Sequence, residues 1–344
     1  MADLDARKET ILGLLIEDYI LTVEPVGSQK LVDKYELDCS PATVRHELSA
    51  LEDLGFLEQP HRSAGRVPTD RGYRYYVDNL QRRDGLAVHE KRDIEDFYAV
   101  GVGRSEDLFR RTSDLLSDLT SYLAVIFSPP LGGSRLKRFD LISLTPRTVL
   151  LVLITETGWV DKKVVEFDDL VDPIALQEVE RVLNSKLTNL TLDVASDALM
   201  TLSFATDEQA ELASMIFGAT GVDRSGQRER VFWGGAVNIL HQPEFGDSEK
   251  LQGVLGVVEE SYGLFQLLRA VLEDDRVVVR IGAEMNTVEL EDCSFVGSRY
   301  TAEGEILGAL GLLGPTRMNY PRAISAVEYI AEHLSGRLGS PHID

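Results

Sequence analysis

SPATVRHELSALEDLGFLEQPHRSAGRVPTDRGYRYY, residues 40–76, carries most of a folding unit in one line. Ser40 reads as a helix cap, because its hydroxyl can accept from the free backbone N–H groups of a first turn. Pro41 follows at the position where a missing N–H costs nothing. Val44, Leu48, Leu51 and Leu54 recur at steps of four, three and three, which lays one apolar stripe along a helix. Gly55 ends it. Phe56 to Gln59 reads as a short strand, HRSAGR as a loop, and Arg66-Val67-Pro68 as a returning strand. Thr69 then opens another helix to about Leu80. Two helices come before, at 5–21 and 29–35. The first sets Ile11, Leu14, Leu15 and Tyr19 at helical spacing, and the second is capped by Ser28.

Three helices, a strand, a basic loop and a strand are, in that order, a winged helix-turn-helix. On a helical wheel the face opposite the stripe shows Ala42, Arg45, His46 and Ser49. Arg45 can bond a guanine edge with two donors, His46 and Ser49 can reach base edges, and Ala42 can touch a thymine methyl. The Ser40 and Thr43 hydroxyls at the helix N-terminus suit a phosphate. Arg62 and Arg66, on a turn with Gly65, are placed to enter a minor groove or clasp the backbone. Taken singly, each of these residues is as readily a solvated helix face or an ordinary turn. Tyr73, Tyr75 and Tyr76 read as core packing. The conjunction of cap, stripe, polar face and arginine loop is what points to double-stranded DNA.

The charge balance sharpens the point. The 344 residues hold 57 acids against 35 bases, a formal charge of -22, which argues against indiscriminate coating of nucleic acid. Yet residues 60–76 carry Arg62, Arg66, Arg71 and Arg74 against Asp70 alone. Arginines outnumber lysines 26 to 9, as suits an acidic surface kept soluble in concentrated salt. The most apolar run, TVLLVLI at 148–154, has strand length, so no membrane span is expected. The acidic start MADLDARKET is no signal peptide. Cys39 and Cys293 have no CxxC spacing, and the histidines at 46, 61, 89, 241, 333 and 342 show no ligand spacing. Neither a metal nor a cofactor is expected, and a reducing cytoplasm fits.

Beyond residue 80 the pattern is α+β. Residues 81–104 read as a linker, and an amphipathic helix follows at about 105–126 with Leu108, Leu115, Leu116, Leu119 and Leu123 inward. Residues 139–167 read as three strands, 174–217 as helices, 277–285 and 307–313 as strands, and 322–336 as a last helix. Gly308, Gly311 and Gly314 lack the surroundings of a dinucleotide site and read as a tightly packed strand. Asp161, Glu166, Asp168 and Asp169 read as solvated charge, and no nucleophile–base pair suggests an enzyme.

Residues 25–78, together with GGAVNIL at 234–240, PEF at 243–245 and LGPTRMNYPRAI at 313–324, resemble the HrcA family of heat-inducible transcription repressors. The resemblance spans nearly the whole chain. It implies a winged-helix DNA-binding domain (1–80), a linker (81–104) and a GAF-like domain in two parts (105–170 and 247–340). A dimerising domain is inserted between those parts, read as the mainly helical 171–246; its apolar Leu212, Met215, Ile216 and Phe217 are expected to need the surface of a second copy, the alternative being packing within their own chain. It further implies a homodimer on an inverted-repeat operator of chaperone operons, released on heat stress, and the chaperonin GroE as a partner. His46 and Arg62 stand where the family usually has asparagine and threonine, so the preferred operator is expected to differ in detail. The alternative is a regulator that senses a small molecule in its GAF-like domain.

Overall fold

The computed structural model describes residues 4–61, 64–80, 85–99, 105–128, 135–155, 160–199, 201–219, 230–246, 248–260, 262–274, 276–302 and 305–339. The chain is a mixed α/β protein built on two larger sheets and a short hairpin. Helices α1 (Ala6–Thr22), α2 (Ser28–Tyr35) and α3 (Pro41–Asp53) pack together, followed by β1 (Leu57–Glu58), β2 (Val67–Pro68) and α4 (Asp70–Asp78). Ile11, Leu12, Leu15 and Ile16 of α1 meet Leu31 of α2 and Val44, Leu48 and Leu51 of α3 in one buried cluster. Asp18 is fully buried beneath α2, where Lys30 reaches one carboxylate oxygen at 2.7 Å and Lys34 the other at 2.5 Å. Burial pushes its carboxyl up, but the two lysine hydrogen bonds outweigh it and hold the group below the usual carboxylate range.

The chain from 81 to 104 is more than a linker. It contains α5 (Val88–Ala99), whose Ile94 and Tyr98 are buried. Helix α6 (Ser105–Thr120) then stops short of the expected 126. Ser121 takes a positive φ of 59°, the Ser117 hydroxyl donates to the Tyr122 carbonyl at 2.7 Å, and the chain continues as strand β3 (Leu123–Ser128). Leu123 therefore belongs to a strand. The apolar run LAVIF permits this because β3 is buried on both faces. Ala124 and Ile126 face one core layer, while Leu123, Val125 and Phe127 face another.

β3 lies inside a five-stranded antiparallel sheet of order β7-β3-β10-β9-β8, with β7 (Arg230–Gly234), β8 (Val278–Ile281), β9 (Cys293–Ala302) and β10 (Glu305–Pro315). Gly308, Gly311 and Gly314 all lie in β10. α6 and α13 (Tyr320–Gly339) pack on one face. On the other lie α10 (Ala236–Leu240), α11 (Ser248–Glu260) and α12 (Tyr262–Leu272). β8 is shorter than the 277–285 strand expected, because the chain turns into a 3-10 turn at Gly282–Met285.

The three strands expected to open the GAF-like domain pair elsewhere. β4 (Leu136–Thr145), β5 (Thr148–Thr155) and β6 (Val160–Glu166) form a separate antiparallel sheet. Its inner face packs on α7 (Pro173–Leu187), α8 (Leu192–Leu199) and α9 (Asp207–Ala219) around Phe139, Leu151, Leu153, Val179 and Leu183. Conversely β7, expected inside the insert, pairs with β3 from Ala124↔Gly234 to Ser128↔Arg230.

Candidate nucleic-acid interface

The exposed end of α3 is built from its cap. The Ser40 hydroxyl accepts from the Thr43 backbone N–H at 3.1 Å and lies 2.9 Å from the Thr43 hydroxyl. Both hydroxyls are thus engaged with each other at the helix start. With Val44, Leu48 and Leu51 buried, Ala42, Arg45 and His46 are turned to solvent, and Thr43 and Ser49 are half-buried. Glu47, which the sequence pattern left unassigned, is buried on the inner side, with Lys8 of α1 at 3.2 Å. That contact orients α3 on α1, and only the tertiary fold reveals it.

The hairpin is anchored at its base. Val26 and Arg66 exchange two backbone hydrogen bonds of 2.9 Å each. A Cβ on Gly65 would stand 2.4 Å from the Val26 carbonyl, so the close approach of these backbones requires glycine. Arg66 is paired within the chain. Its guanidinium lies 2.8 Å from Glu52 of α3, and its side chain is 16% exposed. The pair braces the hairpin against the helix, beside the groove-facing role expected from the charge of Arg66. Arg62 lies outside the described residues. Arg71 is exposed and stacks over the Phe56 ring at 4.7 Å, while Phe56 meets Tyr75 edge-on at 5.3 Å.

α4 fastens this unit to the large sheet. Arg74 donates to Glu284 at 2.9 Å and to the Val279 carbonyl at 2.7 Å, and Asp70 accepts from the Ala283 N–H at 3.0 Å. Gly282, at φ 52°, brings the turn so close that a Cβ there would fall 1.9 Å from the Asp70 carboxylate. Tyr73 lies beside Tyr320, ring centres 5.9 Å apart, and burial pushes its hydroxyl well up.

The residues expected to face a second copy divide. Leu212, Ile216 and Phe217 are buried in their own chain, packed with α7 and the β4-β5-β6 sheet, and only Met215 is exposed. Their apolar character is absorbed by the core beneath them. Exposed apolar side chains of this region include Leu170, Ile174 and Val194 on the helical side, and a compact group lies on the outer sheet face. There Ile142, Leu150 and Val164 stand abreast, Ile142 and Val164 exposed and Leu150 half-buried, with Leu144 exposed nearby. Cys293 is buried, which pushes its thiol up to about 12. Among the described residues no three or more histidine, cysteine or acidic side chains converge as a metal site, and no helix is long and apolar enough to cross a membrane.

Comparison with known proteins places this geometry. Residues 106–324 match the family model described as the HrcA protein C terminal domain. The chain is 37% identical over 336 residues to the heat-inducible transcription repressor HrcA of Pelotomaculum thermopropionicum, covering 96% of each. It is 35% identical over 339 residues to the protein of that name from Carboxydothermus hydrogenoformans, covering 98% of this chain and 99% of the other. In fold it is similar to the crystal structure of a hypothetical protein at 2.2 Å resolution. The TM-score is 0.74 and the identity 24%, over 99% of this chain and 100% of that one.

Proposed function

Because the chain belongs to the HrcA family of heat-inducible transcription repressors, we propose that α1 to α4 with their hairpin form a winged helix that binds an inverted-repeat operator of chaperone operons. The observation that carries this reading is the split of α3. Its Val44, Leu48 and Leu51 side is buried, and Ala42, Arg45 and His46 stand free at a capped N-terminus. A helix so oriented presents its first turns to a major groove. Thr43 and Ser49, half-buried beside that face, border the contact, and the cap favours a phosphate.

We assign the five-stranded sheet and its flanking helices to the GAF-like domain and residues 135–219 to the insert. The two core clusters on either side of that division support it. The homodimer is placed through the insert, with the open face of β4-β5-β6 as the contact, since Ile142, Leu144 and Val164 are exposed there without a covering element among the described residues. No catalytic step is assigned. The chain works in the cytoplasm with its DNA, and the chaperonin GroE assists it to the binding form. A gel-shift titration of the purified chain on chaperone-operon upstream DNA tests this. Binding with a preference for the inverted repeat over a scrambled site supports the reading, and equal affinity for both overturns it.

A further inference from the structure

One groove of about 450 Å³ lies between α12 and the turn that follows β8. Gln266, Arg269 and Glu273 reach it from the helix, and Arg280, Met285 and Asn286 from the other wall. In a chain of net charge -22, two arginines line one groove here. Among the described residues neither has a carboxylate partner. Arg280 spends one donor on the Glu284 carbonyl at 3.2 Å, while its Nε is shut off from solvent with no acceptor. Guanidinium groups held on rigid walls bind planar or tetrahedral oxyanions with paired hydrogen bonds.

We propose that this groove binds a small dianion, of the phosphate-monoester or dicarboxylate kind, between Arg269 and Arg280. Two guanidiniums match two negative charges. Glu273 on the same groove lowers its net positive charge, which disfavours a polyanion such as a nucleic-acid backbone more than a small dianion, and its carboxylate can accept from a hydroxyl of the ligand. The volume suits a metabolite and is too small for a folded partner.

The position gives the site a consequence. Glu284 links groove to clasp: its carbonyl takes the Arg280 hydrogen bond, and its carboxylate holds Arg74 of α4. Val279, next to Arg280, supplies a further acceptor for Arg74. An anion that bridges Arg269 and Arg280 fixes the turn against α12 and so alters the anchor of α4. Binding at the groove and binding at α3 are then coupled, and the coupling must be reciprocal. This second half rests on the DNA-binding reading; the anion site does not.

The experiment uses the full chain, titrated calorimetrically with inorganic phosphate and, separately, succinate at constant ionic strength. Saturable binding of either is expected, with a dissociation constant below about 1 mM. It should weaken at least about tenfold in Arg269→Gln and in Arg280→Gln, each losing a charge-assisted bond. Arg45→Ala should bind the anion normally, which excludes the exposed arginine of α3 as the source. Arg269 is exposed, so its variant is expected to fold, as a melting curve will verify. No saturation with either probe, or saturation that survives both substitutions, overturns the site. Gel shifts at saturating anion then test the coupling. A changed operator affinity that Arg74→Gln abolishes supports it, and an unchanged affinity in the parent overturns it. Operator binding without any anion reports on the repressor reading separately.

Discussion

The guanidinium of Arg66 sits 2.8 Å from the carboxylate of Glu52, joining the hairpin to the last turn of α3. An arginine in a basic loop is ordinarily assigned to phosphate, but here one side of the guanidinium is paired inside the protein. Arg66→Ala should therefore act through position. We expect a loss of about 1 kcal/mol in stability, as for a partly shielded ion pair, and weaker operator binding with its salt slope nearly unchanged. Glu52→Gln gives the sharper contrast. Removing an acid near DNA ordinarily strengthens binding, whereas a broken brace weakens it. Tighter binding by Glu52→Gln in gel shifts would return Arg66 to a backbone role.

Arg45 has no such brace and is exposed. Arg45→Ala should remove a base contact worth about 1–3 kcal/mol per half-site, lost twice by a symmetric dimer. Titration against operators varied one base pair at a time will show the preference relaxed at one position in each half-site. Parent-like affinity would mean that α3 is not the reader.

Asp18 sets the acid limit of the N-terminal unit. Asp18→Asn removes the buried partner of two lysines whose own ammoniums reach solvent, and destabilisation of about 1–2 kcal/mol is expected at pH 7. The folded carboxyl lies below its unfolded value of about 3.9. Its contribution is therefore complete above that value and fades as pH falls through the lower folded one. The gap between thermal melts of parent and variant should stay constant from pH 7 to about pH 5 and narrow as the pH falls below about 3.9. A gap that stays constant to pH 3 would assign the loss to packing.

Much of the N-terminal unit was legible because its signals are local. A cap, a stripe and a turn glycine act within one or two turns of chain, so Ser40, Val44, Leu48 and Leu51 gave α3 directly. What failed was pairing. The alternation of β5 declares a strand with one buried face, but nothing within 148–155 says which sheet it joins. Leu123 kept helical spacing with Leu115, Leu116 and Leu119, and only the turn at Ser121 takes it into β3. Ile94 and Tyr98 bury one side of α5 inside a charged stretch too polar to read as structure.

The same distinction decides the dimer prediction. Leu212→Ala should cost about 2–5 kcal/mol, because it opens a cavity in the core of the insert. Ile142→Lys with Val164→Lys should leave the fold of the insert intact, since both are exposed within the chain, and shift melting only by what the lost dimer contributed. Light scattering will show the double variant as a monomer and the Leu212 variant, while folded, as a dimer. The reverse pattern would restore α9 as the contact.

The last prediction concerns folding. In the five-stranded sheet, Leu123 of β3 pairs with Leu313 of β10, about 190 residues further along the chain. The insert and β7 are synthesised between them. Until β10 emerges, β3 has no partner on that side, and its LAVIF run, buried on both faces in the finished sheet, is exposed. Pairing of such range is slow and leaves apolar strands open to aggregation. A chaperonin that shelters the chain would then set the supply of active repressor, and unfolded clients competing for it during heat would lower that supply. Refolding from denaturant with and without chaperonin and ATP, scored by operator binding, measures this directly. Chaperonin should raise the recovered active fraction at temperatures where the folded chain is stable. Joining the insert's flanks to shorten the β3–β10 separation should reduce that dependence while restoring the sheet's melting transition. Equal recovery in both samples would remove chaperonin supply as the control and favour the small-molecule alternative.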